Sequence, residues 1–363
     1  MQIQQNDVAT LEGKIKAEAL RLGFNLCGIT SPEPPGGFAR YANWLSNGLQ
    51  AGMTYLESDR HRVMRQHPDQ LVPGVRSIIS LGWPYTLQQL LDLGVQPVGL
   101  IAGYTADVDY HLLLPVKMDL LIEFIQKELG RTMHALAFTD SAPILEREIA
   151  SRAGLGWIGK NSCLISPEVG SAFLLAEIFI DYPLRSDPPF SEDRCGTCHR
   201  CLDACPTGCI QADRTIDSGR CISYLTIENK VDIPEALRSS PGMWLFGCDI
   251  CQSVCPWNKR IPDKLPQAMP QTWSLDEILK LLTITTDEFS TRFKDSALLR
   301  SKLKGLQRNA IIWLGNNGNG KASTHIEKFS QQIMDPDLTA CAEWAINRIK
   351  KSEMVFSKKK VPK

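Results

Sequence analysis

Cys195, Cys198, Cys201 and Cys205 stand at C-x2-C-x2-C-x3-C, and Pro206 follows the last of them. Thiolates are soft ligands, and this run is the pattern by which bacterial two-cluster ferredoxins hold [4Fe-4S] centres. Three thiols at i, i+3 and i+6 on a tight loop reach three corners of one cubane. The fourth is carried onto a helix pointing away, towards a second cluster. A reciprocal set must then exist. Cys248, Cys251 and Cys255, followed by Pro256, give C-x2-C-x3-C-P without its first cysteine, and Cys221 is the available donor upstream. The spacing assigns one cluster to Cys195, Cys198, Cys201 and Cys255, and the other to Cys205, Cys221, Cys248 and Cys251. CxxC pairs also build structural zinc sites, but crossed ligation by two C-x3-C-P tails is hard to explain with zinc. Cys209, the fifth thiol of the first stretch, is expected to pack beneath a cluster. Cys27, Cys163 and Cys341 read as small buried hydrophobes.

A chain of 363 residues implies two or three domains. With 43% hydrophobic and 22% charged residues it can bury a core without disulfides. Lys plus Arg and Asp plus Glu are 40 each, so net charge points to no polyanionic partner and local charge must be read instead. The start, MQIQQNDVATLEGK, has neither the basic end nor the apolar core of a secretory signal. No run approaches the ~18 apolar residues of a membrane span. A cytoplasmic protein is expected, in which twelve cysteines serve as ligands or free thiols.

The elements that position the cysteines follow from periodicity. Leu11, Ile15, Ala19 and Leu22 repeat at helical spacing, with Gly23 as the stop. NLCGI, RSIISL, PVGLIAG, HALAFT and SAFLLAEIFI read as strands. DYHLLLPVKMDLLIEFIQKELG reads as a long helix that tolerates Pro115 near its start. Alternating strands and helices predict an α/β domain over residues 1–185. The Pro-, Asp- and Ser-rich DYPLRSDPPFSEDR is a linker into a ferredoxin-like module, residues 186–262. Beyond it the pattern is helical. SLDE at 274–277 is a capping box, and LQRNAIIWLGNNGN with TACAEWAINRIKK suggests paired HEAT-like helices over 263–363. The tail from 351 onward is expected to fray. The fold class is therefore a multidomain α+β protein: an α/β catalytic domain, a two-cluster module and an α-helical HEAT-like domain.

A two-cluster module is an electron wire, and some 185 residues of α/β structure ahead of it argue against a plain carrier. FTDSAPILEREIASRAGLGWIGKN, GSAFLLAEI, DYH at 109–111, the cysteine spacing and RNAIIWLGN together resemble the epoxyqueuosine reductases over essentially the whole chain. These are the cobalamin-dependent iron–sulfur enzymes of tRNA queuosine synthesis. The resemblance implies two-electron, two-proton reduction of the epoxide in epoxyqueuosine at the wobble position of tRNA. It implies cobalamin and two [4Fe-4S] clusters as cofactors. Its implied partners are a tRNA anticodon stem-loop and an external low-potential electron donor, with a monomeric chain and no membrane. The competing readings are a cobalamin-dependent reductive dehalogenase, whose family is usually exported and lacks the C-terminal helices, and an electron-transfer protein.

The resemblance also implies site residues. Asp140, at the end of the HALAFT strand, is the expected proton donor, kept protonated by burial beside an apolar corrin. The competing role is N-cap of a helix beginning near Pro143. Arg65, Tyr104, Thr105, Lys160, Asn161, Ser223 and Asp249 are expected, with Asp140, around the corrin or in the gap before the clusters. Gly154, Gly156 and Gly159 permit close backbone approach. Glu146 and Arg147 read as a surface pair with no role. Finally, Arg292, Lys294, Arg300, Lys302, Lys304 and Arg308 surround one acid, Asp295, and form a candidate stripe for RNA phosphates, with the lysines at 358–360 as a basic tail.

Overall fold

A computed structural model describes residues 10–88, 97–260 and 271–359. The strands are β1 (Leu26–Thr30), β2 (Ser77–Pro84), β3 (Gly99–Ile101), β4 (Ala135–Phe138), β5 (Trp157–Ile158), β6 (Leu164–Ile165), β7 (Phe173–Ile180), β8 (Trp244–Phe246) and β9 (Thr272–Trp273). The main sheet runs β1-β2-β7-β4, and each of its pairings is antiparallel. Alternating strands and helices left the direction of these pairings open, and the sheet takes the antiparallel one throughout. The connection from β1 to β2 returns the chain alongside itself, and β3 leaves this sheet altogether. It pairs in parallel with β8 and antiparallel with β9. A short apolar run announces a strand, but nothing in it names the partner. This small sheet joins segments from all three stretches of the chain.

Two helices cover one face of the main sheet. Thr10 caps Leu11–Leu22 by accepting the Gly13 N–H, and Gly23, at φ 108°, ends it in the left-handed conformation that glycine tolerates. Ile15, Ala19 and Leu22 meet Leu114, Met118, Leu121 and Ile125 of the long helix Tyr110–Leu129 over Ile79, Leu81 and Ile178 of the sheet. The neighbouring side chains Ile78 and Phe179 point the other way, onto Ile144 and Ile149. That is the two-residue alternation of a sheet buried on both sides. Each such side chain contributes about 1.5–3 kcal/mol on burial. Asp109 caps the long helix through the His111 N–H, which fixes Tyr110 and His111 on its first turn.

The helical region carries the expected capping box at Ser274 and Glu277, and a second one at Thr285 and Glu288. Its centre is the helix Lys302–Asn317, buried without interruption from Gly305 to Gly315. Arg308 is only 2% exposed and donates to the carbonyls of Leu225, Asn229 and Val231. Asn309 donates to those of Thr226 and Leu245. The adjacent Arg and Asn thus clamp this helix onto the cluster module, so Arg308 belongs to the interior and not to a phosphate-binding stripe. The last helix, Pro336–Lys359, extends through most of the tail expected to fray. Lys360 lies outside the described residues.

Arg308→Ala removes the arginine donor from the buried carbonyls of Leu225 and Asn229, at about 1–3 kcal/mol each. It should lower unfolding stability by roughly 3–5 kcal/mol, the range for losing one partner of a buried charged network. Urea denaturation reads this directly, and a change under about 1 kcal/mol would mean that Arg308 does not hold the two regions together.

Candidate active site

Asp140 lies two residues beyond β4 in a left-handed conformation, φ 51°. The following helix, Glu146–Arg152, has Leu145 at its cap position, so Asp140 does not cap it. Its carboxylate turns instead into a three-sided polar grip. Oδ2 accepts from the Tyr110 hydroxyl at 2.8 Å and from the Arg300 guanidinium at 2.8 Å. His111 Nε2 stands 3.7 Å away, while its Nδ1 pairs with Asp109 at 2.8 Å. Arg300 also donates to the Tyr110 hydroxyl, at 2.9 Å.

This grip reverses the expected protonation. Burial by itself pushes the Asp140 carboxyl up, but His111, Arg300 and Tyr110 together hold it down at about 2. Asp140 is therefore ionised at neutral pH. The neighbour that gains proton affinity is His111: burial and the Arg300 charge oppose its protonation, but Asp140 and Asp109 outweigh them and raise its pKa above the ordinary value. Arg300 was expected to meet RNA phosphate, yet it completes this cluster from the helical region. Its partners explain why: Asp140 and Glu228 supply the negative charge.

The Asp140 loop forms one wall of a cavity of about 470 Å³. Tyr41 and Trp44 of helix Phe38–Ser46, with Tyr55 and Leu56, form an aromatic wall; Arg65 and His61 sit at its edge, and Arg214, Ile216, Cys221 and Tyr224 close the far side. Three hydrogen bonds hold this architecture together. Trp44 Nε1 donates to the Ile216 carbonyl, Tyr41 to that of Leu56, and the Gly52 N–H to the Tyr224 hydroxyl. Arg65, expected around the corrin, lines this cavity; its guanidinium lies 5.2 Å from the Tyr41 ring centroid and hydrogen-bonds His61. Tyr41, Trp44, Tyr55 and Arg214 went unnoticed in the sequence. The signal was an aromatic-rich stretch, 38–55, with few core partners along the chain.

Other expected residues sit elsewhere. Tyr104 backs Tyr110, ring edge to ring face at 6.1 Å. Thr105 lines a different cavity, with Trp273, Arg292 and Phe293. Lys160 donates to the carbonyls of Gly196 and Cys198, so it steadies a cysteine loop. Asp249 is 1% exposed and accepts the N–H groups of Gln88 and Gly103, which pins two loops together. Ser223 sits on helix Ile222–Ile227 directly after Cys221 and does not line the cavity beside it. Asn161 is buried with its Nδ2 unpartnered. A Cβ at Gly156 would meet the Ile165 carbonyl at 2.1 Å, and one at Gly154 that of Pro188 at 2.8 Å. These glycines make room for the protein's own backbone, not for a ligand. Glu146 and Arg147 line the cavity and are no idle surface pair.

The thiols fall into two groups. Cys255, Cys195 and Cys198 feel one another electrostatically, as do Cys201, Cys195 and Cys255. Trp157, Phe190 and Trp257 shelter this group, and Trp157 Nε1 donates to Cys195 at 3.4 Å. Cys248 lies in range of Cys205 and Cys221, and Cys251 in range of Cys248 and Cys221. Helices Arg200–Ala204 and Ile250–Ser253 pack together, which carries Cys205 and Cys255 across to opposite groups. Cys209 lies 3.4 Å from Cys205, and Cys163 hydrogen-bonds Cys251, so both non-ligand thiols line the second group. Among the described residues no three His, Cys, Asp or Glu side chains converge on a point fit for a single ion.

Comparison with known proteins agrees with this anatomy. The 4Fe-4S double cluster binding domain matches residues 194–258, and the family described as epoxyqueuosine reductase QueG, DUF1730 matches residues 65–141. The epoxyqueuosine reductase of Cyclobacterium marinum is 42% identical over 81% of this chain and 94% of its own. A crystal structure of epoxyqueuosine reductase with an epoxyqueuosine-modified tRNA-Tyr stem loop superposes with a TM-score of 0.84 at 29% identity, covering 97% of this chain and 95% of that one. The Bacillus subtilis enzyme, solved with an aspartate catalytic loop swung out of the active site, gives 0.83 at 30% identity, over 93% and 90%.

The depressed Asp140 carboxyl has a measurable consequence. It contributes stability above the ordinary value of 3.8 that is lost as pH falls towards about 2. Asp140→Asn lacks this term, so thermal melts of the variant should decline less than wild type across that window. The side chain is 50% exposed, and water screens the effect to about 1 kcal/mol at most. Equal acid limbs would mean that the grip on Asp140 does not form.

Proposed function

The chain belongs to the epoxyqueuosine reductase family, and we propose that the cavity between Asp140 and Cys221 is where it converts epoxyqueuosine to queuosine in tRNA. One observation carries the assignment: a single cavity is lined both by Asp140, the carboxylate of the charged cluster, and by Cys221, a thiol of the cluster module. The reaction needs both. Two C–O bonds break, a C–C π bond forms, and two electrons and two protons leave with the oxygen as water. Family matches covering most of the chain do not favour a dehalogenase or a plain electron carrier.

Two [4Fe-4S] clusters fit the all-thiol donor sets, with Cys195, Cys198, Cys201 and Cys255 holding one, and Cys205, Cys221, Cys248 and Cys251 the other. Cobalamin also fits. The aromatic wall offers a flat apolar surface, and Arg65, Arg147 and Arg214 offer donors to its polar rim. When bound there, it supplies a low-potential cobalt centre between cluster and epoxide.

The protein's own residues handle the proton. Asp109 orients the His111 imidazolium towards Asp140, and Asp140 passes its proton to the epoxide oxygen as charge develops. An oxygen leaving without a proton is a poor leaving group, so this transfer belongs in the transition state. Arg300 and Tyr110 stabilise the same developing charge. The positive φ of Asp140 keeps its loop strained, and the Bacillus subtilis relative supports a loop that moves.

Wobble-base chemistry requires the base to leave the anticodon stack and enter the cavity. Of the six-cation stripe, Lys304 pairs with Asp335 and Asp337, and Arg300 and Arg308 point inward. Arg292, Lys294 and Lys302 remain exposed for phosphates. The relative bound to a tRNA stem loop supports this use of the surface, and a tRNA substrate implies work in the cytoplasm.

Asp140→Asn tests the mechanism. Asparagine tolerates the left-handed backbone at least as well as aspartate, so the loop survives. Turnover of an epoxyqueuosine stem loop should fall roughly 10²–10⁴-fold with iron content and RNA binding unchanged; near-wild-type turnover would remove Asp140 from the reaction. For the ligands, Cys221→Ala should cost one cluster's iron while Cys209→Ala keeps both. Iron loss in the Cys209 variant would overturn the assignment.

A further inference from the structure

Glu146 begins the helix after the Asp140 loop and lines the same cavity wall. Its Oε1 accepts the Asp140 backbone N–H at 2.7 Å, which leaves the other carboxyl oxygen to carry a proton. The groups facing it set its state. Burial and the ionised Asp140 push its carboxyl up, and the cations of Arg147 and Arg65 pull it back; the result is about 7. Behind it on β7, Glu177 is 0% exposed, receives a hydrogen bond from Ser80 at 3.4 Å and keeps Oε2 unpartnered. Burial raises the Glu177 carboxyl well above its ordinary value, and any charge on Glu146 raises it further. Asp140 and Glu146 line one cavity, the first held ionised and the second raised towards neutrality, a division that suits two roles.

The stoichiometry asks for such a group. Two protons end on one oxygen, and the His111–Asp140 pair accounts for one of them. We propose that Glu146 is the second acid of the reaction, giving its carboxyl proton to the oxygen as it departs as water. The proposal rests on the reading of this cavity as the epoxide-reducing site. In the balanced step, Glu146 becomes a carboxylate, His111 becomes neutral, the two electrons arrive through the cluster module, and both C–O bonds are replaced by a π bond and water. Between turnovers Glu146 regains its proton from solvent through the open cavity.

Glu146→Gln separates acid from latch. Glutamine keeps an oxygen for the Asp140 N–H but has no acidic proton. Prereduced enzyme and an epoxyqueuosine stem loop are mixed for a single turnover across a range of pH. Wild type should slow above neutrality more steeply than loss of one proton allows, because two acids must be protonated. Glu146→Gln should bind the stem loop and load both clusters, react roughly 10²-fold more slowly, and show the shallower fall-off of His111 alone. A variant with wild-type rate and wild-type pH profile overturns the proposal and leaves the site reading standing. If the variant does not load its clusters, the wild-type profile decides, and a single-proton fall-off there overturns the proposal. A wild-type protein that does not reduce epoxyqueuosine overturns both.

Discussion

The ion pair between Asp140 and Arg300 is the contact on which the site depends. Its partners are 160 residues apart, one on a loop of the antiparallel sheet and one from the helical region. A bond at 2.8 Å between them forms only when the two regions are held in register. Arg308 and Asn309 supply that register by fastening their helix to five carbonyls of the cluster module. Asp249 does the same on the other side, binding the Gln88 and Gly103 N–H groups beside Cys248. The sheet β8-β3-β9 runs through the junction. Buried polar groups here locate a catalytic contact, which apolar packing alone does less well because it is non-directional.

The same pair sets the proton chemistry. A lone carboxyl in this apolar cavity would be neutral and acidic, the arrangement that burial leads one to expect. The arginine, the tyrosine hydroxyl and the histidine convert it to an anion that attracts and relays a proton. The anion in turn raises both neighbours, His111 and Glu146, towards the protonated state at neutral pH. One fixed negative charge thus readies two proton carriers, and Arg300 prevents it from being neutralised in the process.

The two-cluster module was legible because cluster geometry imposes a local spacing that no other constraint imitates. The helices with caps at Thr10, Asp109 and Ser274 were legible for the same reason: the signal lies within a few residues. What remained hidden was long-range. A run such as PVGLIAG does not state that its strand joins β8 and β9, and alternating elements do not distinguish a parallel from an antiparallel sheet. Asp140 was found, but its charge was misjudged, since its partner Arg300 looked like one more cation in a basic stretch. Lys160 was misplaced likewise: a lysine after two glycines reads as a ligand contact until the Gly196 and Cys198 carbonyls are seen in front of it.

Charge counting along the stripe carries the same lesson into recognition. Six cations within 17 residues look like a phosphate-binding face, but a cation serves RNA only if nothing else has claimed it. Arg308 spends its charge on carbonyls, Arg300 on Asp140 and Lys304 on two aspartates. Lys294 shares its charge with Asp295 at 3.7 Å, and with Arg292 and Lys302 exposed beside it the surface is electrostatically modest. Affinity built on few phosphates is weakly salt-dependent and poorly discriminating. Discrimination must then come from the modified base itself, checked by the groups that act on it. In such an enzyme the chemistry and the specificity share residues, and the neutral exterior follows from how fully the interior has used its charge.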